Sequence, residues 1–566
     1  MVNNRKFFRS PGFDRPDLFF VVAVTAGIAL RIFLILTRQY SVSFDEAHYL
    51  RLAGTFINEG VKGLFHPYWP PLYPAVTGVV SFLVKNLELS GRLVNVFASA
   101  GISAVIYSLG KRVFSKKIAV TGAFLFLIYP PVAYESTFVV TEPLYTLLGL
   151  SGILSFFIGI ERRKTLNFLI AGLLWGAGYL VRPEGAGFLI VALGFLILSF
   201  LPQLFKNKNL LIWVIAVVFG FILISSPYLI YLKKTTGKWT LSTKGMVNQQ
   251  LEAAVEFNSG SVKDPFFHLT SDNKHLPVDM AYHFGNIQDL SKIKDGKSRI
   301  VKIGIKEYAE KYLRNLNKVL KEAVPRVVTV ILLIFATAGF LSKYYSKKEW
   351  SLVFYLTLNV VFFWFIVVPF FHVNYRYLLP LFPLFFIWIS AGIYYLHNWL
   401  EISIDRAVKT ESFVKTKRRF ISGFVVTGVF VLICIVLEAG RIFVIKKYKP
   451  GLWDQPVEIK EAGLWLKSNT DHPPVLLSIN KAADFYAGQY NMKLGASFSY
   501  DPVDRIIKYA KYRKCGYVVF SSRYLSWFKN CSLLLNPEKM PKELKLVYDR
   551  TGPAGVRAVI YKILYN

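Results

Sequence analysis

Long apolar runs recur from the start of the chain to about residue 441. One membrane-spanning helix needs about 20 mostly apolar residues, and lipid offers the backbone no hydrogen-bond partner, so the spans are expected to be helical. Hydrophobic residues make up 54% of the 566 residues and charged residues only 18%, which leaves a soluble domain too little polar surface to cover its apolar side chains. The sequence therefore predicts an α-helical polytopic membrane protein.

The spans and their connections differ in charge. We predict eleven spans, at 17–37, 92–110, 118–134, 140–160, 166–181, 186–203, 210–231, 326–342, 351–371, 378–397 and 420–441. If the N-terminus lies inside, the inner loops carry basic clusters such as that at 162–164, whereas the short outer connections carry only Arg182 and Arg376. Basic residues accumulate in cytoplasmic loops. We expect a multi-pass protein of the plasma membrane with a cytoplasmic N-terminus and an extracytoplasmic C-terminus.

Three longer segments would then lie on the outer side, at 38–91, 232–325 and 442–566. Residues 1–441 are expected to form the transmembrane domain, and the tail a separate extracytoplasmic domain. Within the second segment, apolar residues at helical spacing over 300–322 predict an amphipathic helix on the membrane surface. Because the three longer polar segments lie on one side of the membrane, we expect the active site on that side.

The tail alternates two kinds of pattern. Pro474–Ile479 and Gly516–Phe520 are typical of short buried strands, and Val457–Lys467 and Pro502–Lys511 of helices. Strands that alternate with helices predict a small α/β domain.

The formal net charge of +33 does not indicate nucleic acid binding. The basic residues are spread over many short loops, where they set the orientation in the membrane and face anionic lipid head groups. We therefore expect membrane lipids, and no nucleic acid, as partners.

Cysteines and histidines offer no metal site. Cys434 falls in a predicted span, while Cys515 and Cys531 could form a disulfide if the tail is outside the cell. The chain has no CxxC motif or Cys/His cluster. Three histidines in the second outer segment are too widely spaced for a helical metal pair and are expected at the surface: His268, His275 and His283.

Polar residues follow the first span closely. Ser43 is a plausible N-cap, and Asp45 and Glu46 suit the first turn of a helix. On that helix Asp45, His48 and Tyr49 share one face, and Glu46 points elsewhere. The pattern fits an active-site acid, and it equally fits a helix start with capping acids.

An aromatic, proline-rich segment follows at 66–74 and includes Tyr73. Prolines fix the backbone and are not expected to allow a regular helix there. The aromatic rings fit an interfacial belt and also fit a sugar site.

Further charged residues lie at the predicted outer ends of spans. Glu142 precedes a proline that suits a helix start. Arg182 and Arg376 either extend to the interface or have a function, and Arg31 in the first span presents the same alternatives. Inverting sugar transfer needs a carboxylate to accept a proton and cations to stabilise a leaving phosphate. Two carboxylates and two arginines at one depth match that need.

At these residues the sequence resembles the GT-C superfamily of membrane glycosyltransferases. Asp45-Glu46 and Tyr49 after the first span look like the protein O-mannosyltransferase and aminoarabinose-transferase type, with glycosyltransferase family 39 as the nearest match. Supporting motifs stand in the same order along the chain: Trp69–Pro74, Thr141–Pro143, Arg182–Gly185 and Arg376–Pro380.

The resemblance implies a sugar donor on a polyprenyl or dolichyl phosphate, inversion at the anomeric carbon, and no other cofactor or metal. It implies Asp45 as the catalytic base and Glu142 as a second active-site acid. The substrate-binding residues are expected to be Glu46, His48, Tyr49, Tyr73, Arg182 and Arg376. Proteins, lipids and envelope polymers are the acceptors that the family implies.

The sequence departs from the aminoarabinose transferases at two positions. His48 and Trp69 stand where those enzymes have a basic residue and a lysine that touch the carrier phosphate. This argues against aminoarabinose as the sugar, and we expect Arg182 and Arg376 to bind the phosphate instead.

Two other classes of protein fit the same features. A transporter or flippase of lipid-linked sugars also needs many spans and cationic head-group sites, although the sequence has no internal repeat of the kind common in transporters. A membrane scaffold would use the tail to bind partners, with Asp45 as a helix cap only.

Overall fold

The computed structural model of the chain describes residues 16–37, 41–200, 208–245, 247, 267–285, 304–371, 373–407, 455–552 and 555–565. The predicted span at 420–441, with Cys434, lies outside these residues, as does the start of the predicted amphipathic helix at 300–322. Where it is described, the chain is mostly helical, with a small sheet near its C-terminus. The predicted fold class is confirmed.

A series of helices forms the larger part of the molecule. They are α1 (Pro16–Thr37), α2 (Phe44–Glu59), α3 (Leu72–Val84), α4 (Leu87–Val113), α5 (Lys116–Ile128), α6 (Pro130–Glu135), α7 (Glu142–Arg162), α8 (Thr165–Val181), α9 (Ala186–Phe200) and α10 (Lys208–Thr236). Next come α11 (Ile305–Lys318), α12 (Val330–Leu341), α13 (Lys347–Val361) and α14 (Phe385–Ala407). Large apolar side chains on their outer faces include Leu36 and Leu83, which are 77% and 86% exposed, as expected for contact with lipid.

Several of these helices can cross a membrane. Among the described residues, five helices are long and apolar enough, or six if Ile305–Val327 and Val330–Leu341, bent by 88°, form one broken span. Shorter apolar helices, α8 and α9, coincide with the predicted spans at 166–181 and 186–203. The chain is a multi-pass membrane protein, while the count of eleven spans and the orientation stay predictions.

Prolines set two helix boundaries. The predicted span at 118–134 is divided, because α5 ends at Ile128 and α6 starts at Pro130, where a proline fits the first helical turn. In the segment 66–74 no regular helix was expected, and this was wrong at its end. There α3 begins with Pro74 in its first turn, where a missing N–H costs no helical hydrogen bond.

Helices α8 and α10 touch backbone to backbone. A Cβ atom on Gly172 would lie 2.1 Å from the carbonyl oxygen of Val217, and one on Gly220 would lie 2.5 Å from that of Leu169. Small residues allow such approach between helices in a membrane. The hairpin of α7 and α8 also brings the end of α8 beside the start of α7.

The tail forms the predicted α/β unit. Its strands are β1 (Leu476–Ser478), β2 (Tyr517–Ser521), β3 (Leu544–Thr551) and β4 (Arg557–Ile563), and its helices are α15 (Val457–Asn469), α16 (Ala482–Tyr486) and α17 (Val503–Tyr512). The strand order is β1-β2-β4-β3, with β1 and β2 parallel and the other pairs antiparallel. Sequence patterning did not predict β3 and β4, since charged residues on the edge strand β3 weaken its apolar alternation. The boundary between the domains at 441 stays a prediction.

A buried arginine anchors the tail to α2. Arg51 is fully buried, and its guanidinium donates to the backbone carbonyls of Gln489, Asn491 and Leu494 at 3.0, 2.7 and 3.3 Å. The position of α2, which also carries Asp45, is therefore fixed in part by the tail.

The disulfide that the sequence allowed is not formed. Cys515 and Cys531 are both free thiols with no exposed surface, packed in the apolar core of the tail. Burial raises the pKa of each thiol, which keeps both protonated and unreactive.

Candidate functional site

A cavity of about 530 Å³ lies where the N-terminal ends of α2 and α7 meet the C-terminal end of α8. The segments 240–245 and 374–377 complete its wall. The charged lining residues are Asp45, Glu142, Arg182, Glu184, Lys244 and Arg376. The tyrosine and tryptophan residues of the wall are Tyr49, Tyr68, Trp69, Tyr145 and Tyr377. An apolar side is formed by α9 and the segment 362–371.

Asp45 lies in the first turn of α2 and is exposed at the cavity. It forms no hydrogen bond or ion pair with the other described residues. Tyr49, one turn later, lines the same wall. Two of the three residues predicted on one face of α2 therefore reach the cavity, and the third, His48, does not.

The carboxylate of Glu142 holds two arginines that lie far apart in the sequence. Glu142 begins α7, and its Oε1 atom lies 3.1 Å from Nη1 of Arg182 and 3.0 Å from Nη2 of Arg376. This carboxylate raises the pKa of Arg376, against the effect of burial, so the guanidinium stays cationic. The acid and the two arginines singled out in the sequence share one cavity.

Besides Glu142, Arg182 contacts a second carboxylate and two aromatic rings of the wall. Its Nη2 atom lies 3.4 Å from Oε1 of Glu184, and its guanidinium lies 5.8 and 5.2 Å from the ring centroids of Tyr145 and Tyr377. Burial lowers the pKa of Arg182, but the carboxylates of Glu184 and Glu142 raise it by more than burial lowers it. The pKa of Arg182 is therefore above its ordinary value.

Lys244 is a third cation, which sequence reasoning missed. Its Nζ atom lies 5.2 and 5.1 Å from the ring centroids of Tyr68 and Trp69, within the range of cation–π attraction. A hydrogen bond of 2.6 Å from Thr243 to the carbonyl of Pro67 fixes the turn. Burial is the largest cause of a lowered pKa at Lys244. One lysine in a long loop makes no pattern, so only its aromatic partners could have marked it.

Three predicted site residues lie outside the cavity wall. Glu46 is buried and accepts a hydrogen bond from the backbone N–H of Val139 at 2.8 Å. Tyr73 is buried and donates to a backbone carbonyl of α4 at 3.0 Å. His48 stacks on Trp69 with 4.7 Å between ring centroids. Arg31, the further candidate in α1, is buried and bonds to carbonyls at Gly27 and Leu127.

Histidines form a buried group next to the cavity. The ring centroid of His48 lies 4.8 Å from that of His283, and Nε2 of His66 lies 3.2 Å from the carbonyl oxygen of His283. The surface position expected for His283 was wrong, because residues 267–285 pack against the tail, where the ring contacts Ser497 at 3.1 Å. Burial lowers the pKa of all three histidines. Among the described residues, no group of three His, Cys, Asp or Glu side chains could hold a metal ion.

Known proteins resemble this chain in sequence and in fold. Residues 66–231 match the family model of dolichyl-phosphate-mannose-protein mannosyltransferases. A stretch of 152 residues is 28% identical to GPI mannosyltransferase 2 of Cryptococcus neoformans var. neoformans, over 26% of this chain and 34% of that protein. ArnT from Cupriavidus metallidurans, bound to undecaprenyl phosphate, superposes with a TM-score of 0.53 at 13% identity, over 97% of this chain and 98% of that one.

A second solved structure agrees. AglB, the archaeal oligosaccharyltransferase from Archaeoglobus fulgidus in complex with an inhibitory peptide and a dolichol-phosphate, superposes with a TM-score of 0.50 at 12% identity, over 96% of this chain and 74% of that one. The chain thus resembles a mannosyltransferase family over residues 66–231 and shares the fold of both solved structures. The sequence match spans about a third, 34%, of the length of the curated mannosyltransferases. The family match includes Glu142 and Arg182 and ends before Lys244 and Arg376.

The cavity combines two kinds of surface. Its cations can bind an anionic group through charge-assisted hydrogen bonds, and an exposed carboxylate beside them can accept a proton. Its apolar side, which includes Phe188, Ile190, Phe363 and Val368, suits a hydrocarbon chain. An amphiphile with an anionic head therefore fits the cavity as a whole.

Proposed function

We propose that the protein transfers a sugar from a polyprenyl- or dolichyl-phosphate carrier to a protein, lipid or envelope-polymer acceptor, with inversion at the anomeric carbon. One observation carries the proposal: an exposed carboxylate, Asp45, shares a cavity with the three cations Arg182, Lys244 and Arg376. The mannosyltransferase family match and the two lipid-phosphate-bound structures of the same fold support the same reaction.

Asp45 is the proposed catalytic base. The acceptor hydroxyl oxygen attacks the anomeric carbon of the donor sugar, and its proton passes to the carboxylate of Asp45. The bond between the anomeric carbon and the phosphate oxygen breaks, and its electron pair leaves with the lipid phosphate. Because Asp45 has no cationic partner among the described residues, its oxygens are accessible to the acceptor.

The three cations stabilise the departing phosphate. The phosphodiester of the donor carries one negative charge, and the released lipid phosphate carries more, so cations in a water-poor cavity favour the transition state over the bound donor. Lys244 extends the pair of arginines expected from the sequence. Its Nζ atom lies over the ring of Trp69. Trp69 itself stands where aminoarabinose transferases are expected to have a lysine.

Glu142 has a positioning role in this scheme. Its Oε1 atom bonds both arginines, so it sets the distance between the two guanidinium groups. The lipid chain of the donor lies along the apolar side of the cavity, between α9 and the segment 362–371. No cofactor or metal takes part.

We place the cavity and the tail at the outer face of the plasma membrane. Basic clusters on the opposite ends of the spans support this orientation. The segment 232–325 and the tail then lie where an extracytoplasmic acceptor arrives, which makes them the candidates for acceptor selection.

Radiolabelled polyprenyl-phosphate sugars, incubated with the purified protein and membrane extract, test the proposal. The wild-type protein is expected to move the label to an acceptor, with or without a chelator. Asp45→Asn is expected to lose at least about a hundredfold in rate, since it removes the base, and to bind the donor as before.

Glu59→Gln is the matched control, because Glu59 is an exposed carboxylate at the other end of the same helix. Full transfer by Asp45→Asn would contradict the enzymatic proposal and favour a transporter or scaffold. Movement of the lipid across a vesicle membrane without transfer would favour the transporter.

A further inference from the structure

Three buried polar atoms in the wall of the cavity have no hydrogen-bond partner among the described residues. They are Oε2 of Glu142, Oε2 of Glu184 and the hydroxyl of Tyr145. All three residues line the cavity, and Glu142 and Tyr145 are only 5% and 2% exposed. Buried polar atoms in folded proteins are nearly always hydrogen-bonded, so these three indicate the place of polar groups that a ligand brings.

One arginine holds the two carboxylates in place. Nη1 of Arg182 lies 3.1 Å from Oε1 of Glu142, and its Nη2 lies 3.4 Å from Oε1 of Glu184. Each carboxylate thus has one oxygen on Arg182 and the other without a partner. The ring of Tyr145 lies against the same guanidinium. The residues that carry the three unpartnered atoms therefore all contact Arg182.

We propose that Glu142, Glu184 and Tyr145 form the subsite that binds the transferred sugar, and that this sugar is hydroxyl-bearing and not acidic. This inference rests on the function proposed above and names the chemical class of the sugar. Glu184 and Tyr145 become specificity-determining residues of the same cavity.

The chemistry of the three atoms defines that class. An ionised carboxylate only accepts hydrogen bonds, and a tyrosine hydroxyl donates and accepts. Sugar hydroxyls supply the missing donors, and the ammonium of an amino sugar also could. A phosphate offers no proton, and the carboxylate of a uronic acid would be repelled by both glutamates. The donor is thereby oriented, with its phosphate at the cations and its sugar at the carboxylate oxygens.

Tyr145→Phe provides the sharpest test, because the hydroxyl that it removes has no hydrogen-bond partner in the part of the chain that the structure describes. The full-length protein in detergent is titrated with polyprenyl-phosphate glucose, polyprenyl-phosphate mannose and unglycosylated polyprenyl phosphate. Tyr145→Phe is expected to weaken binding of at least one glycosylated lipid by about 3- to 10-fold, the range of one hydrogen bond. Its affinity for the unglycosylated lipid and its melting temperature should be unchanged.

Tyr344→Phe serves as the matched control, because Tyr344 is 97% exposed and distant in sequence from the cavity residues. Equal weakening of glycosylated and unglycosylated lipids, or of neither, in Tyr145→Phe overturns the subsite. If the wild-type protein binds none of the lipids, the proposed function itself fails, which is a different result.

Glu184→Gln tests the exclusion of acidic sugars. The wild-type protein is expected to bind polyprenyl-phosphate glucuronic acid at least about tenfold more weakly than the glucose lipid, because of the two carboxylates. The amide at position 184 should narrow that difference. Equal affinity of the wild-type protein for the two lipids, or an unchanged difference in the variant, overturns the role of Glu184.

Discussion

The carboxylate of Glu46 accepts a hydrogen bond from the backbone N–H of Val139, with 2.8 Å between Oε1 and the nitrogen. Its Oε2 atom accepts from the backbone N–H and the hydroxyl of Ser43 at 2.8 and 3.0 Å. One buried side chain thus joins the start of α2 to the segment that precedes α7. It sets the separation of Asp45 and Glu142, which stand at those two helix starts.

Replacing Glu46 by alanine should loosen that junction. Three donors lose their acceptor, and we expect the free energy of unfolding to fall by about 1–3 kcal/mol, the cost of leaving buried polar groups unsatisfied. Because Asp45 and Glu142 would no longer be held at a fixed distance, kcat should fall more than donor affinity. Thermal unfolding in detergent and steady-state kinetics measure the two effects, and Glu59→Ala is the control. Unchanged kcat in folded Glu46→Ala would speak against a positioning role.

The two arginines of the cavity should differ in their effect on stability. The side chain of Arg182 is 12% exposed and pairs with two carboxylates, whereas that of Arg376 is 31% exposed and pairs with one. Loss of Arg182 leaves Glu184 without its ion-pair partner and leaves the buried Glu142 with Arg376 alone, so Arg182→Gln should lower the melting temperature more than Arg376→Gln.

Both arginine variants should weaken donor binding by about tenfold or more, since each removes a charge-assisted contact to the phosphate. Titration with polyprenyl phosphate measures this, and Arg163→Gln, an exposed arginine at the far end of α7, is the control. If both variants bind polyprenyl phosphate like the wild type, the arginines have no part in phosphate binding.

Acid should destabilise the junction between the histidines and the tail. Burial lowers the pKa values of His48 and His283, and lowers that of His66 to about 4. An unfolded histidine has a pKa of about 6.5, so below that pH the unfolded chain binds protons that the folded chain excludes. Stability is therefore complete above pH 6.5 and is lost as the pH falls towards about 4.

Melting temperatures between pH 7.5 and pH 5 would measure this loss, which has a slope of up to about 1.4 kcal/mol per pH unit for each group. His48→Phe removes one titrating ring and should flatten the profile, whereas His275→Gln, at an exposed position, should not. A profile that is equally steep in His48→Phe and the wild type would exclude this ring as a cause.

Loss of Arg51 should release the tail from α2. Arg51→Ala removes three hydrogen bonds to the tail carbonyls at 489, 491 and 494, of which the carbonyl at 491 keeps the backbone N–H of Leu494 as a donor. We expect a destabilisation of about 2–4 kcal/mol and faster proteolysis within the tail. Limited proteolysis followed by mass spectrometry locates the cleavage, with Lys493→Ala as an exposed control. Cleavage at the wild-type rate would show that the tail is held mainly by other contacts.

Local features were predicted best. The helices at 17–37, 140–160 and 166–181 follow from continuous apolar runs, and β1 and β2 follow from short apolar runs between turn residues. These properties depend on neighbouring residues, so the sequence is sufficient. The sequence did not predict that α3 begins inside a proline-rich segment, nor did it predict the strand β3. Whether a helix tolerates a proline, and whether an edge strand forms, depends on the neighbouring elements of the fold.

The candidate site also has features that the sequence predicted and features that depend on the fold. Charged residues at the predicted ends of spans marked Asp45, Glu142, Arg182 and Arg376, because a charge at a membrane boundary is unusual wherever it stands. The choice of Asp45 over its neighbour Glu46 as the residue at the cavity could not be made from helical spacing alone, since it depends on the segment before α7.

By itself, the sequence determined that this chain is a helical membrane protein with an α/β tail, because hydrophobic periodicity and the length of apolar runs are properties of consecutive residues. Only the tertiary structure decided that Glu142 bonds both Arg182 and Arg376, that Lys244 joins them over two aromatic rings, and that three polar atoms stay unpartnered. Contacts of this kind join segments as much as 234 residues apart, and their geometry is set by the packing of whole helices, which no local pattern encodes.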